Sequence, residues 1–178
     1  MARITSFKPG QRPPHVTMPA LSLGVCNGCQ LMVTLNLLYP QHRRKMEMRP
    51  NDSGKFESAF INVKIQPTKS VLLRDLAGAR LGIWVAHGEG KFHLPEDEKS
   101  YDIPVRFCKA SYPANPNGSD FNAAAVCSQD GRHLAIMPHL ERSIFPWQWP
   151  YYPALKTHQV TPWIVAFTSA REWIKERT

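Results

Sequence analysis

Apolar residues change their spacing along the chain, and the changes mark the elements. Leu21 to Val25, broken by Ser22 and Gly24, predicts a short buried strand, and Gln30 to Leu38 has the spacing of a helix with one apolar face. Phe56 to Gln66 alternates, first through Phe56 and Phe60 and then through Ile61, Val63 and Ile65. It predicts a half-buried strand whose phase slips between Phe60 and Ile61, as at a bulge or a break. Ser70 to Ala77 predicts a short helical turn with Ser70 as cap. Arg80 to Ala86 predicts a second strong strand that runs into His87-Gly88-Glu89-Gly90, after which Lys91 to Leu94 is expected to pair back as another. Val105 to Cys108 predicts a further strand. Ala123 to Ser128 and Leu134 to Met137 bracket Gln129-Asp130-Gly131-Arg132, and Asp-Gly between apolar runs predicts a hairpin. Thr161 to Glu176 predicts a terminal helix, with Thr161 as N-cap, Pro162 at the first position, and Trp163, Phe167, Ala170, Trp173 and Ile174 at helical spacing. Tyr39 to Gly54 and Tyr112 to Ser119 are turn-rich and read as surface connections. Residues 1–20, rich in proline and basic side chains without periodicity, read as a poorly ordered leader.

A chain of 178 residues with 43% apolar composition suits one domain with a substantial core. There is no apolar run long enough for a membrane span and no secretory signal pattern, so a cytoplasmic protein without membrane partners is expected. The net charge of +8 invites a nucleic-acid reading. The dense basic cluster, however, is only His42 to Lys45 with Arg49 nearby, without interleaved aromatics. It reads as a solvated face or a subunit contact, and no nucleic-acid partner is expected. The four cysteines are too few for a disulfide scaffold and are expected to be reduced.

Candidate chemistry centres on Cys26, in the tight Gly24-Val25-Cys26-Asn27-Gly28 turn between the first strand and the first helix. A nucleophile on such a turn is exposed beside backbone N–H groups and a helix N-terminus, which poises its thiolate. Cys26 and Cys29 also form a C-x-x-C, open to a zinc half-site or a redox pair. Cys108 and Cys127 stand singly, so no metal site is expected. A cysteine nucleophile needs a base and the base an orienting group. His139 with Glu141 two residues on is the favoured pair, because i and i+2 share a side in extended chain. His87 with Glu89, also after a strand, remains a competitor. The Asn115-Pro116-Asn117-Gly118 loop reads as a pair of turns, with amide recognition as its functional alternative.

Six motifs in order then carry a resemblance: Gly24-Val-Cys-Asn-Gly-Cys-Gln30, Ala86-His-Gly-Glu-Gly90, Tyr112 to Ser119, Asp130-Gly-Arg-His-Leu-Ala135, Met137-Pro-His-Leu-Glu-Arg142 and Trp147-Gln-Trp149. From about Leu21 to the C-terminus the chain resembles the class I glutaminase domains of the formylglycinamide ribonucleotide amidotransferase (phosphoribosylformylglycinamidine synthase) family. The resemblance implies an α/β fold, an open twisted mixed sheet flanked by helices. It implies a catalytic triad of Cys26, His139 and Glu141, choosing His139 over His87. It makes the Asn27 N–H an oxyanion donor, and Gln30, His87 and Asn117 substrate-site or interface candidates. The implied reaction hydrolyses glutamine through a cysteine thioester and supplies ammonia to a synthetase domain or subunit in purine biosynthesis. That synthetase uses ATP and magnesium, and no cofactor is expected in this chain.

Leu140 stands where the family usually has proline, which leaves both functional side chains in place. The family's synthetase and the first part of its glutaminase domain, with the glycine-rich turn that gives the other oxyanion donor, have no counterpart here. The expectation is therefore a sheet lacking its first strands, with residues 1–20 unaligned and residues 21–178 forming the C-terminal part of a glutaminase domain. Such a sheet exposes apolar surface and strand edges. The alternative is a non-catalytic interaction module, or an inactive fragment, that keeps the glutaminase surface.

Overall fold

The computed structural model describes residues 20–153 and 159–177. The leader assigned to residues 1–20 lies, apart from Ala20, outside them. The sheet has six strands: β1 (Ser22–Val25), β3 (Glu57–Ile65), β4 (Arg80–His87), β6 (Asp102–Phe107), β7 (Ala123–Cys127) and β8 (His133–Ile136). Their spatial order is β1-β8-β7-β6-β3-β4. Only β1 and β8 run parallel, in register Val25 with Ile136, and the other neighbours are antiparallel. The sheet curls, because His139, just beyond β8, bridges back to Trp84 on the far edge strand β4.

Two apolar layers sandwich this sheet. On one face Ile61, Val63 and Ile65 of β3 and Leu81, Ile83 and Val85 of β4 meet Leu72, Leu73, Trp163 and Ala166. The last belongs to α2 (Ile164–Lys175), and Trp163 just precedes it. Trp163 is fully buried and its indole N–H donates to Gly82 O at 2.8 Å. On the other face α1 (Asn27–Thr34) sends Cys29, Met32 and Val33 against Ala135, Met137, Ala123 and Val126. Every residue of β7 is buried, as a central strand requires. β1 is one edge of the sheet, and beside it α1 and the turn that follows expose Leu31, Leu35 and Leu37, each more than half exposed. Among the described residues no helix is long and apolar enough to cross a membrane.

The hairpin at Asp130-Gly131 forms as expected, with Gly131 at φ 76° and the Asp130 carboxylate accepting from Ser128 Oγ at 2.6 Å and Arg132 N at 3.1 Å. Three expectations are corrected. No slip occurs at Phe60–Ile61, since β3 pairs with β4 without interruption from Glu57 to Lys64. Both faces of β3 are covered there: Phe60 packs on Trp84 and Trp149, with ring centroids 5.1 and 5.2 Å away, while Ile61 enters the core. The strand after Gly90, β5 (Lys91–His93), pairs not with β4 but with β2 (Glu47–Arg49), inside the stretch read as a surface connection. That stretch also buries Tyr39, Met46 and Asn51. The terminal helix begins at Ile164, two residues later than expected. Thr161 Oγ1 donates to Ser143 O at 2.6 Å and accepts from Trp163 N at 3.3 Å, while Ile174 lies half exposed.

Candidate active site

The turn between β1 and α1 is as tight as its glycines imply. A Cβ on Gly24 would lie 2.6 Å from Gly28 O, where strand and helix nearly touch, whereas one on Gly28 would meet nothing within 4 Å. Gly24 is therefore the sterically required glycine. Cys26 sits at φ 52° and ψ −107°, in a backbone region that L residues seldom adopt. Its N–H is fixed on Ile136 O at 2.9 Å, so the register of the two parallel strands holds the strained residue in place. Cys26 is half-buried and its Sγ lies 3.8 Å from Ala86 O.

His139 reaches the same strand, its backbone N–H donating to Trp84 O at 2.7 Å. Trp84 and Ala86 are two apart on β4, so their carbonyls point the same way, off the edge that β3 does not cover. The nucleophile candidate and the histidine candidate thus converge on one exposed edge. His139 is buried, and its Nδ1 contacts Glu141 Oε1 at 2.6 Å. With Nδ1–H donating to the carboxylate, Nε2 is the basic nitrogen. Burial pushes the Glu141 carboxyl up. The hydrogen bond from His139, its own backbone and the charges of His139 and Arg142 outweigh that and hold it below the usual range.

The other candidates gather on the segment that follows β4. Gln30 Nε2 donates to Glu89 O at 2.9 Å, tying the first turn of α1 to the His87-Gly88-Glu89-Gly90 loop. Asn27 is the first residue of that helix and exposed. His87 is buried, and a Cβ on Gly90 would collide with its imidazole. Asn117 is fully buried with its amide saturated: Nδ2 donates to Gly90 O at 2.7 Å and toward His87 Nε2 at 3.2 Å, while Oδ1 accepts from Ser119 N and Oγ. Those partners fix which way the amide points, so His87 Nε2 is an acceptor and the imidazole is neutral with its proton on Nδ1. Asn117 thus braces the loop from beneath and has no spare polar atom.

Asn51 does the same from the other side, donating to His87 O at 2.8 Å and accepting from Gly90 N at 3.0 Å. Sequence reasoning missed Asn51, because its surroundings, Pro50 to Gly54, have the composition of any exposed turn. It also missed the β4 edge carbonyls, which no side-chain pattern records.

Burial, and secondly the charge of His139, push His87 down from 6.5 to about 4, with Glu57 opposing. The folded value lies below the unfolded one, so the unfolded chain binds more protons between them. This contribution is complete above about pH 6.5 and is lost as pH falls toward 4, a span of about 3 kcal/mol at most. Urea unfolding from pH 7 to 4.5 is expected to show stability falling with pH in this window, and falling less steeply in His87→Gln.

The C-x-x-C does not read as a redox pair. Cys29 is completely buried, and burial followed by the charge of Cys26 raises its thiol well above the ordinary value. All four cysteines are free thiols, and among the described residues no three of His, Cys, Asp or Glu gather as a metal site.

The profile of the CobB/CobQ-like glutamine amidotransferase domain matches residues 17–174. The chain is 40% identical over 176 residues to a probable phosphoribosylformylglycinamidine synthase, chloroplastic/mitochondrial, of Arabidopsis thaliana, covering 86% of this chain and 12% of that protein. It is 42% identical over 174 residues to the phosphoribosylformylglycinamidine synthase of Dictyostelium discoideum, covering 85% and 13%. The human phosphoribosylformylglycinamidine synthase is 37% identical over 182 residues, covering 87% and 14%. The chain therefore spans only 12 to 14% of the length of these relatives. Among solved structures, PurLQS from Thermotoga maritima superposes with a TM-score of 0.67 at 23% identity, over 86% of this chain and 62% of that one, a likeness of fold. The fold is thus shared with a solved protein, and by the domain match and these identities the chain belongs to the CobB/CobQ-like glutamine amidotransferase family.

Proposed function

We propose that this chain hydrolyses glutamine and passes the ammonia to the synthetase part of a phosphoribosylformylglycinamidine synthase, in purine biosynthesis. The observation that carries the reading is the convergence of the strained Cys26 and the His139–Glu141 pair on the Trp84–Ala86 edge of β4. His139 Nε2 takes the thiol proton and Cys26 Sγ attacks the side-chain amide carbon. The negative charge that develops on the amide oxygen falls beside the Asn27 N–H at the start of α1. His139 returns the proton to the leaving nitrogen, ammonia departs and a glutamyl thioester remains. His139 then deprotonates water, which attacks the thioester and releases glutamate and the thiol. Glu141 keeps the imidazole in the required tautomer throughout. Gln30, His87 and Asn117 act as positioning residues that hold the His87–Gly90 loop against the site. ATP and magnesium belong to the step that consumes the ammonia.

A chloroketone analogue of glutamine tests the assignment of the nucleophile. Peptide mapping is expected to find the adduct on Cys26, with glutamine protecting it. The comparison thiol is Cys108, also partly exposed, whereas Cys29 and Cys127 are buried. Equal labelling of Cys26 and Cys108, unaffected by glutamine, contradicts the reading.

A further inference from the structure

Beside the triad, a cleft of about 360 Å³ is lined by Ser58, Trp84, Val85, Ala86, Arg142 and Trp147, with Gln148 at its rim. Two of these lining residues belong to the edge already described. Ala86 O is the group 3.8 Å from Cys26 Sγ, and Trp84 O holds the backbone of His139. The cleft therefore leads away from the nucleophile along β4.

Its walls are chemically uneven. Arg142 is the one cation among the lining residues, and no carboxylate is among them. The guanidinium is more than half exposed, and among the described residues its one carboxylate contact is through Nε, 3.7 Å from Glu141 Oε1. A guanidinium so exposed, with a single carboxylate contact at that distance, has donors left for a second, planar anion held in two-pronged fashion. Two indoles line the same cleft. Trp84 is held by its N–H on Gln148 O at 2.7 Å, and Trp147 is 78% exposed yet stacked on Phe145 at 5.9 Å and 8°. An exposed tryptophan braced flat on a second ring offers a fixed apolar wall.

An amide-bearing substrate that enters with its reacting carbon at Cys26 places whatever lies about 5 Å behind that carbon, four carbon–carbon bonds away, in this cleft. We infer that the cleft is an α-carboxylate subsite, in which Arg142 binds the carboxylate of an amino-acid amide while Trp147 and Trp84 flank its methylenes. This rests on the functional reading above and deepens it, since it names the feature that distinguishes glutamine from a simple amide. Arg142 is then a specificity residue beyond the triad, and its closeness to Glu141 places the substrate's charge next to the group that orients His139.

The test compares glutamine with 4-aminobutanamide, which is glutamine without its carboxylate, by ammonia release from the full chain. The wild type is expected to prefer glutamine in kcat/KM. Arg142→Gln is expected to narrow that preference at least about tenfold, mainly through the KM for glutamine, because a charge-assisted pair is lost with one substrate and absent with the other. Arg142→Lys, which keeps the charge but not the fork, is expected to recover part of it. A preference unchanged in Arg142→Gln overturns the subsite and returns Arg142 and Trp147 to a surface for a second protein. A wild-type chain that releases ammonia from neither substrate overturns the functional reading itself.

Discussion

Replacing His139 by asparagine is expected to lower glutamine turnover by about 10³ to 10⁴-fold while leaving the melting temperature within a few degrees of the parent. The side chain is buried, but its fold contacts run mostly through the backbone. His139 N holds Trp84 O, and its carbonyl accepts from Arg142 N and Ser143 Oγ, all of which asparagine keeps. What asparagine lacks is a basic nitrogen for the Cys26 thiol. Glu141→Gln separates orientation from basicity. The carboxylate accepts from Nδ1 at 2.6 Å, and an amide in its place can donate to that nitrogen and stabilise the wrong tautomer. A loss of about 10² to 10⁴-fold is expected, carried by kcat more than by KM. A measurement of glutamate release at saturating glutamine, paired with thermal unfolding of each variant, checks both. A His139→Asn protein with full turnover sinks the assignment of the base, and His87 becomes the group to examine.

His87 has the composition-level credentials of a base, and its surroundings are why we propose a positioning role for it instead. Its Nε2 already accepts from Asn117, its ring rests on Gly90, and burial pushes it down to about 4. The motif that contains it is bound by buried side chains as a ledge beside the site. Asn51, Asn117 and Ser119 bind Gly90 and His87, and Gln30 binds Glu89 from the helix. Removing one of these buried partners leaves others unsatisfied, so the ledge is held cooperatively.

Local chemistry made some of this readable in advance. Asp130-Gly131 between two apolar runs specifies its hairpin, because the turn's requirements are met by the residues inside it. Gly24 and Cys26 likewise announce a tight elbow. The elements that escaped depend on partners far away in sequence. β2 has only three residues and owes its existence to β5. Phe60 looks out of phase with Ile61 until Trp149, far along the chain, covers the second face of β3. His139 and Cys26 are separated by most of the chain, and neither one's neighbours reveal that Trp84 and Ala86 draw them to one edge. The family resemblance, carried by six short motifs, favours His139 where spacing left two histidines open, and the contact of its Nδ1 with Glu141 is one that no spacing in the sequence specifies.

The direct measurement is glutamate release from glutamine by the full chain and by its Cys26→Ser variant. Serine fits the same strained turn, keeps the N–H on Ile136 O and changes one atom, so folding is expected to survive. Its hydroxyl is a far poorer nucleophile than a thiol beside the same base. Steady glutamate release is expected from the parent chain, with a fall of at least about 10³-fold in the variant. Equal release by the two proteins, or none by the parent, would contradict the claim that Cys26 is the nucleophile of a glutamine-hydrolysing site.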